Sequence, residues 1–273
     1  MTIDSTAKLN NNIEIPRLGL GVYLSKPGKE TFNAVTWALQ AGYRHIDTAR
    51  AYKNEGDVGK AVKESNIKRE DVFITTKLWN QDQGYESALK AFDASMDDLG
   101  FDYVDLYMIH WPVEEKRRDS WRALEKIYKE GRAKAIGVSN YTIKHLKEMD
   151  SYTGIKPAMN QVEFHPFLYQ EDLLEYCRIK NVQLEAYSPL VRAERFDDPN
   201  ILETAQKYSK SAAQIMIRWS LQHDLVAIPK SVHRERIIEN ADVFDFEISE
   251  NDMEKLNSLN EELRIAWDPT NVD

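Results

Sequence analysis

With a single cysteine, Cys177, in 273 residues, the chain cannot close an internal disulfide and carries no mark of an oxidising compartment. Cys177 lies in Glu171-Asp-Leu-Leu-Glu-Tyr-Cys-Arg-Ile179, where it shares one helical face with Leu173 and Leu174, so a buried packing residue is expected. No apolar run reaches the length of a membrane span, and the first ten residues lack a basic stretch followed by an apolar one. A cytoplasmic protein that avoids membranes is expected. Basic residues are in the minority, 36 against 45 acidic, and the formal charge of -9 opposes binding to nucleic acid while leaving room for a local pocket that holds one small anion. No Pro/Gly/Ser-rich linker divides the chain, which reads as one domain over residues 1–273 with a sizeable core. No metal site is expected.

What is present is an alternation. After a short hairpin over Lys8 to Ile15, turning at Asn10-Asn-Asn12, brief apolar runs alternate with amphipathic helical stretches. Strand ends fall near Gly21, Asp47, Lys77, His110, Ser139, Gln161, Tyr187 and Ile228, at spacings that suit a strand, a helix and two loops. The helices Thr31–Gln40, Tyr85–Leu99 and Trp121–Glu130 each run into a glycine, at Gly42, Gly100 and Gly131, where a left-handed cap is expected. In Ser211–Leu221, Ala212, Ile215, Met216 and Trp219 mark a core-facing helix, and Phe246–Leu263 is helical in pattern before an irregular tail. Eight such units fit a closed (β/α)8 barrel or a doubly wound open sheet. The barrel is favoured because Gly19-Leu-Gly21 lacks the third glycine of a dinucleotide turn, and because polar residues end strands along nearly the whole chain, as when eight loops ring one mouth.

Four of those residues carry chemistry. A tyrosine is a weak acid at neutral pH, with a pKa of about 10. A lysine ammonium about 4 Å away favours the phenolate by roughly 4 kcal/mol at an effective dielectric near 20, before desolvation opposes it. Brought together, Lys77 would therefore ready Tyr52 as a general acid, Asp47 would keep Lys77 charged, and a neutral His110 would aim a substrate carbonyl. Singly, each is more often a surface, capping or core residue. Their shared place at successive strand ends argues for a site.

The motifs Gly42-Tyr-Arg-His-Ile-Asp-Thr-Ala49, Thr76-Lys-Leu-Trp79, Met108-Ile-His-Trp-Pro112, Ala135-Ile-Gly-Val-Ser-Asn140, Asn160-Gln-Val-Glu-Phe-His-Pro166, Ala186-Tyr-Ser-Pro-Leu190 and Ile228-Pro-Lys-Ser-Val232 closely resemble those of the aldo-keto reductases over almost the entire chain. The resemblance implies a (β/α)8 barrel that uses NADPH to reduce aldehydes and ketones, with Tyr52 as proton donor, Lys77 and Asp47 as its tuning pair and His110 as the orienting group. It implies that Ser139, Asn140 and Gln161 hold the nicotinamide carboxamide, that Tyr187 stacks on the ring, and that Gly21, Val22, Asp47, Ser188, Pro189, Leu190 and Val232 complete the cofactor contacts. Lys230, Ser231 and Arg236 have the charges and hydroxyl for a 2′-phosphate, and Glu239 and Asn240 would meet the adenine. His233 departs from the small hydroxyl residue frequent in relatives. Tyr23, Trp79, Trp111 and Trp267 would line an apolar substrate cleft with Tyr52 and His110, suited to small aldehydes, 2-oxo aldehydes or diketones. The short segment after His110 implies an open cleft, and Arg192 or Arg195 is expected on the cofactor diphosphate or an anionic substrate. A monomer is expected. Two other readings compete: a barrel that binds NADPH without turnover, and an aldolase in which Lys77 forms a Schiff base.

Overall fold

The computed structural model describes residues 1–272. An antiparallel hairpin of β1 (Thr6–Lys8) and β2 (Glu14–Pro16) comes first, with Ala7 opposite Ile15. The barrel follows as β3 (Leu20–Gly21), α1 (Lys29–Gln40), β4 (His45–Asp47), α2 (Glu55–Glu64), β5 (Phe73–Leu78), α3 (Tyr85–Leu99), β6 (Val104–Ile109), α4 (Arg117–Lys129), β7 (Ala133–Ser139), α5 (Ile143–Met149), β8 (Met159–Glu163), α6 (Glu171–Lys180), β9 (Gln183–Tyr187), α7 (Pro199–Tyr208), α8 (Ala212–Gln222) and β10 (Val226–Ala227). Helices α9 (Arg234–Ala241) and α10 (Glu250–Asn257) precede the tail.

Strands β3 to β10 pair in parallel in sequence order, and the sheet closes on itself where Leu18 bridges Ala227 and Gly21 bridges Lys230. Gly21 is required at that seam: a Cβ there would lie 2.9 Å from the Ile228 carbonyl oxygen. Closure leaves both faces of each strand covered, so β5 and β6 are buried at every position. Alternation then sorts the side chains. Ile74, Leu78, Tyr107 and Ile109 pack outward among helix residues such as Ala34, Val58, Phe92 and Leu124. Leu106, Met108, Ala135 and Met159 fill the inside, and Ala7, Leu9 and Ile15 of the hairpin plug that end of the barrel.

The helices bury the faces their spacing sets. On α1, Thr31, Ala34, Val35, Ala38 and Leu39 are buried at helical intervals; on α3, Ala88, Ala91, Phe92, Ser95, Met96 and Leu99 are. The left-handed cap at Gly100 closes α3 as expected. Other boundaries moved. Helix α4 starts at Arg117, four residues before the expected Trp121, because Arg117 is held to the Glu148 carboxylate on α5. The helical pattern of 246–263 narrows to α10: the Ser249 hydroxyl caps its first turn through the Asp252 amide, and beyond it Glu261 and Leu263 both donate to the Phe167 carbonyl. Helix α8 is buried from Ala213 to Leu221, so the expected stripe understated its burial, while Ala212 itself is half-buried. Cys177 is fully buried, as expected.

Candidate active site

Strand parity points His45 and Asp47 of β4, Thr75 and Lys77 of β5, Gln161 of β8 and Glu185 of β9 into the upper barrel, where they form a buried polar column. Lys77 Nζ donates to Asp47 Oδ1 at 2.6 Å and to the Thr48 carbonyl at 3.0 Å. Gln161 Nε2 donates to the other Asp47 oxygen at 2.8 Å. Both charged residues are buried, so the pair is held where charge separation is costly and is satisfied on each side. Burial lifts the Asp47 carboxyl above its usual range, and Lys77 and then Gln161 pull it back.

Tyr52 is carried by a single helical turn, Arg50–Tyr52, that ends in left-handed Lys53. Asn54 fixes this turn: its Oδ1 accepts from the Thr48 hydroxyl at 2.8 Å and its Nδ2 donates to the Val22 carbonyl at 3.0 Å. Tyr52 packs against Tyr23 and His110, with ring centroids 5.1 and 5.6 Å apart, and Lys77 Nζ lies 5.2 Å from the Tyr52 ring centre. Trp79 meets His110 at 5.3 Å, and Trp111 meets Trp267 at 5.1 Å across the mouth. Of the six residues expected in the cleft, Tyr23, Tyr52, His110 and Trp79 thus form one run of ring contacts, and Trp111 and Trp267 form a second pair.

The protonation states differ in part from expectation. His110 is neutral as anticipated, since burial and then the Lys77 charge hold its pKa well below the ordinary value. Tyr52, however, is not drawn toward the phenolate: burial first, and then the charge of Asp47, hold its hydroxyl well above the ordinary value. The reason is geometric. Lys77 spends its charge on Asp47 at 2.6 Å, so the ammonium does not offset the burial of the phenol.

The neighbouring strand ends gather the other expected residues. The Ser139 hydroxyl donates to the Gln161 carbonyl at 2.9 Å, left-handed Asn140 donates through Nδ2 to the His110 carbonyl at 3.0 Å, and the Tyr187 hydroxyl donates to Asn140 Oδ1 at 2.8 Å. Beyond Tyr187 the chain bends sharply, with positive φ at Ser188, Val191, Arg192 and Ala193, a strained run that carries Pro189 and Leu190 along the mouth. Across the β3–β10 seam, Lys230, Ser231 and Val232 lead into α9. Among the described residues Lys230, Arg234 and Arg236 form no ion pair with a carboxylate, and burial holds Lys230 below its ordinary value with only Glu30 opposing. Uncompensated cations beside a helix N-terminus suit a phosphate. His233 takes the first place before α9, its amide donating to the Ser231 hydroxyl at 3.1 Å. Glu239 and Asn240 lie on α9. Arg195 is committed elsewhere, to Glu261 at 2.7 Å, because the 188–193 bend turns it toward the tail; Arg192 stays exposed.

Among the buried groups with no role assigned from the sequence are His45, Glu163 and Glu185. Glu163 clasps the tail, taking the Ile265 amide on Oε1 at 2.8 Å and the Ala266 amide on Oε2 at 3.1 Å, with His165 Nε2 3.1 Å from Oε1. The signal for Glu163 and Glu185 was parity, since an acid at an inward position of a buried strand needs a partner.

A closed parallel barrel with a Lys–Asp pair beneath a tyrosine and a neutral histidine defines a class of oxidoreductase, and comparison with known proteins agrees. Residues 17–261 match the sequence profile of the Aldo/keto reductase family. The chain is 50% identical over 268 residues to the glyoxal reductase of Bacillus subtilis (strain 168), covering 98% of this chain and 97% of that one. Among solved structures, an aldo-keto reductase from a Medee basin deep-sea metagenome library superposes with a TM-score of 0.95 at 46% identity, covering 98% and 100% of the two chains. An aldo-keto reductase from Bombyx mori in complex with NADP gives 0.91 at 33% identity, covering 97% and 96%. The chain belongs to the aldo-keto reductases, a family of NADPH-dependent oxidoreductases.

Proposed function

We propose that this enzyme reduces small aldehydes, 2-oxo aldehydes or diketones to alcohols, with Tyr52 delivering the proton and His110 orienting the carbonyl. One observation carries the proposal: Tyr52 packs against His110 and Tyr23, His110 against Trp79, and the Lys77 ammonium that Asp47 holds lies 5.2 Å from the Tyr52 ring centre. NADPH, when bound, supplies the hydride. Ser139, Asn140 and Gln161 would hold its carboxamide, and Tyr187, tied through its hydroxyl to Asn140, would offer its ring as a platform. Gly21, Val22, Asp47, Ser188, Pro189 and Leu190 would line its path, while Lys230, Ser231, Val232 and Arg236 would take the 2′-phosphate end and Glu239 and Asn240 the adenine.

Proton delivery follows from the protonation states. Tyr52 stays a phenol at neutral pH, so its proton is in place before reaction. The alkoxide that forms as the carbonyl is reduced is a far stronger base than a phenolate and draws that proton off. Neutral His110 then acts by a hydrogen bond rather than by charge. Lys77 is the counter-charge for the phenolate left behind, screened by Asp47 until Tyr52 ionises.

A 2-oxo aldehyde fits the apolar rim with its few polar groups, and the glyoxal reductase likeness supports that choice. The Schiff-base alternative is disfavoured because the Lys77 ammonium is bound by Asp47 and Thr48 and is not a free amine. A single-domain monomer in the cytoplasm is proposed; no helix among the described residues is long and apolar enough to cross a membrane. The test is loss of NADPH absorbance against methylglyoxal, aromatic aldehydes, diketones and quinones. Tyr52→Phe should lower kcat by about 10²- to 10⁴-fold while NADPH binding survives, and near-normal turnover in that variant would refute the proton donor.

A further inference from the structure

Below the Tyr52 site the barrel interior holds a second carboxyl that the reaction as described does not use. Glu185 is fully buried. Its Oε2 accepts from Gln161 Nε2 at 2.5 Å, and the same nitrogen donates to Asp47 Oδ2 at 2.8 Å, so the two hydrogens of one amide serve two acids. Its Oε1 has no hydrogen-bond partner and faces His45 Nε2 at 3.7 Å. His45 Nε2 in turn lies 3.1 Å from the Thr75 hydroxyl, and its Nδ1 is unpartnered beside Gly19, where a Cβ would come within 2.5 Å of it. The charged and titratable groups facing Glu185 are therefore His45 and Asp47 from β4, Lys77 from β5 and, above them, Tyr52.

Charge counting fixes its state. Two carboxyls share this interior with one ammonium, and Lys77 is bound to Asp47 at 2.6 Å. A buried carboxylate without its own counter-ion takes up a proton instead. His45 does not supply the missing cation, because burial and then the Lys77 charge hold its pKa at about 3. Burial, and then the charge of Asp47, push Glu185 the other way, up to about 8. The oxygen that receives no hydrogen bond, Oε1, is the place for the proton.

We propose that Glu185 is a positioning residue that works as a neutral acid: protonated, it anchors the Gln161 amide on Asp47; ionised, it sets a second negative charge behind Asp47 and Tyr52 and slows proton delivery. It acts through Gln161 and through the field at Tyr52, whose hydroxyl the Glu185 charge raises further. The proposal rests on carbonyl reduction through Tyr52, and it adds to that chemistry an internal control of the acid by pH.

The experiment is the pH profile of kcat for carbonyl reduction in the wild type, Glu185→Gln and Glu185→Asp. Tyr52 titrates far above the range and His110 far below it, so neither places a break near neutrality. Wild-type kcat should fall with a midpoint near 8, the limb should vanish in Glu185→Gln, which keeps the shape but cannot ionise, and Glu185→Asp should retain it. The same limb in Glu185→Gln overturns the proposal. If Glu185→Gln is inactive at every pH or does not fold, the wild type decides by infrared spectroscopy: the carbonyl stretch of a buried protonated acid should disappear over the pH range in which kcat falls. Glu55→Gln removes the contribution of one of the two other buried acids whose pKa burial raises; the second, Asp47, is held as the carboxylate partner of Lys77. Absence of the band at neutral pH, or its persistence after kcat has fallen, overturns the proposal. Tyr52→Phe separates the two claims, since turnover surviving there removes the proton donor, whereas the Glu185 outcomes bear on the control alone.

Discussion

Lys77→Met should destabilise the enzyme by about 3–5 kcal/mol at neutral pH, the usual cost of removing one member of a buried ion pair. The gross attraction at 2.6 Å and an effective dielectric near 20 is roughly 6 kcal/mol, offset by the desolvation of both groups. Methionine restores most of the volume, so little of the loss is cavity. What remains is an Asp47 carboxylate with only the Gln161 amide for a partner. Asp47 would then titrate above its unfolded value, which makes the variant's handicap small below pH about 4 and larger as pH rises through the shifted value. Asp47→Asn in the same chain removes the stranded charge, and the double variant should recover about half or more of the loss. Urea unfolding followed by tryptophan fluorescence reads this directly, because Trp121 and Trp219 are fully buried. Losses that simply add, or a Lys77→Met loss that does not vary with pH, would refute the view that Asp47 is ionised and compensated by Lys77.

Gly59→Ala should lower stability by about 1–3 kcal/mol or more, since the new Cβ would fall 2.0 Å from the Leu99 carbonyl oxygen on the neighbouring helix and backbone cannot step aside; the urea midpoint checks it. Glu163→Gln puts an NH2 where a tail amide must donate and should depopulate the docked tail by about tenfold or more, raising KM with kcat little changed and increasing the mobility of Trp267 seen by fluorescence. Stability against pH has contributions of both signs, which His45 and Glu185 illustrate. His45, lowered from 6.5 to about 3, gives stability above its unfolded value that is lost as pH falls toward 3, whereas Glu185, raised from 4.5 to about 8, gives stability that is lost as pH rises toward 8. They oppose between 4.5 and 6.5, so the readable window is 6.5 to 8, where unfolding free energy should decline in the wild type and stay flatter in Glu185→Gln.

Much of the fold was legible because it is local. Strand ends named from apolar runs, at Gly21, Asp47, Lys77, Ser139, Gln161 and Tyr187, fall within β3, β4, β5, β7, β8 and β9, and His110 follows β6 directly. A polar residue ending a buried strand is a local signal, and so is a glycine with positive φ after a helix. Boundaries set by tertiary contacts were not legible. The start of α4 depends on Arg117 reaching Glu148, 31 positions away, and the limits of α10 depend on Phe167 capturing the chain beyond it.

The charge state of the site was illegible for a sharper reason. Parity says that Asp47, Lys77, Gln161 and Glu185 all point inward, but not which of them meet, because that depends on how a closed sheet brings β4 opposite β8 and β9. Lys77 near Tyr52 argues for a lowered phenol; a buried phenol beside a Lys77 already bound to Asp47 argues for a raised one, and the second arrangement is the one present. The same column then explains how the barrel tolerates these buried polar groups: the ammonium is bound by the carboxylate, and a single amide joins that carboxylate to the neutral acid, so the column among the described residues carries no uncompensated charge. Removing any member shifts a proton on another, which couples the stability of this enzyme to the acidity of Tyr52.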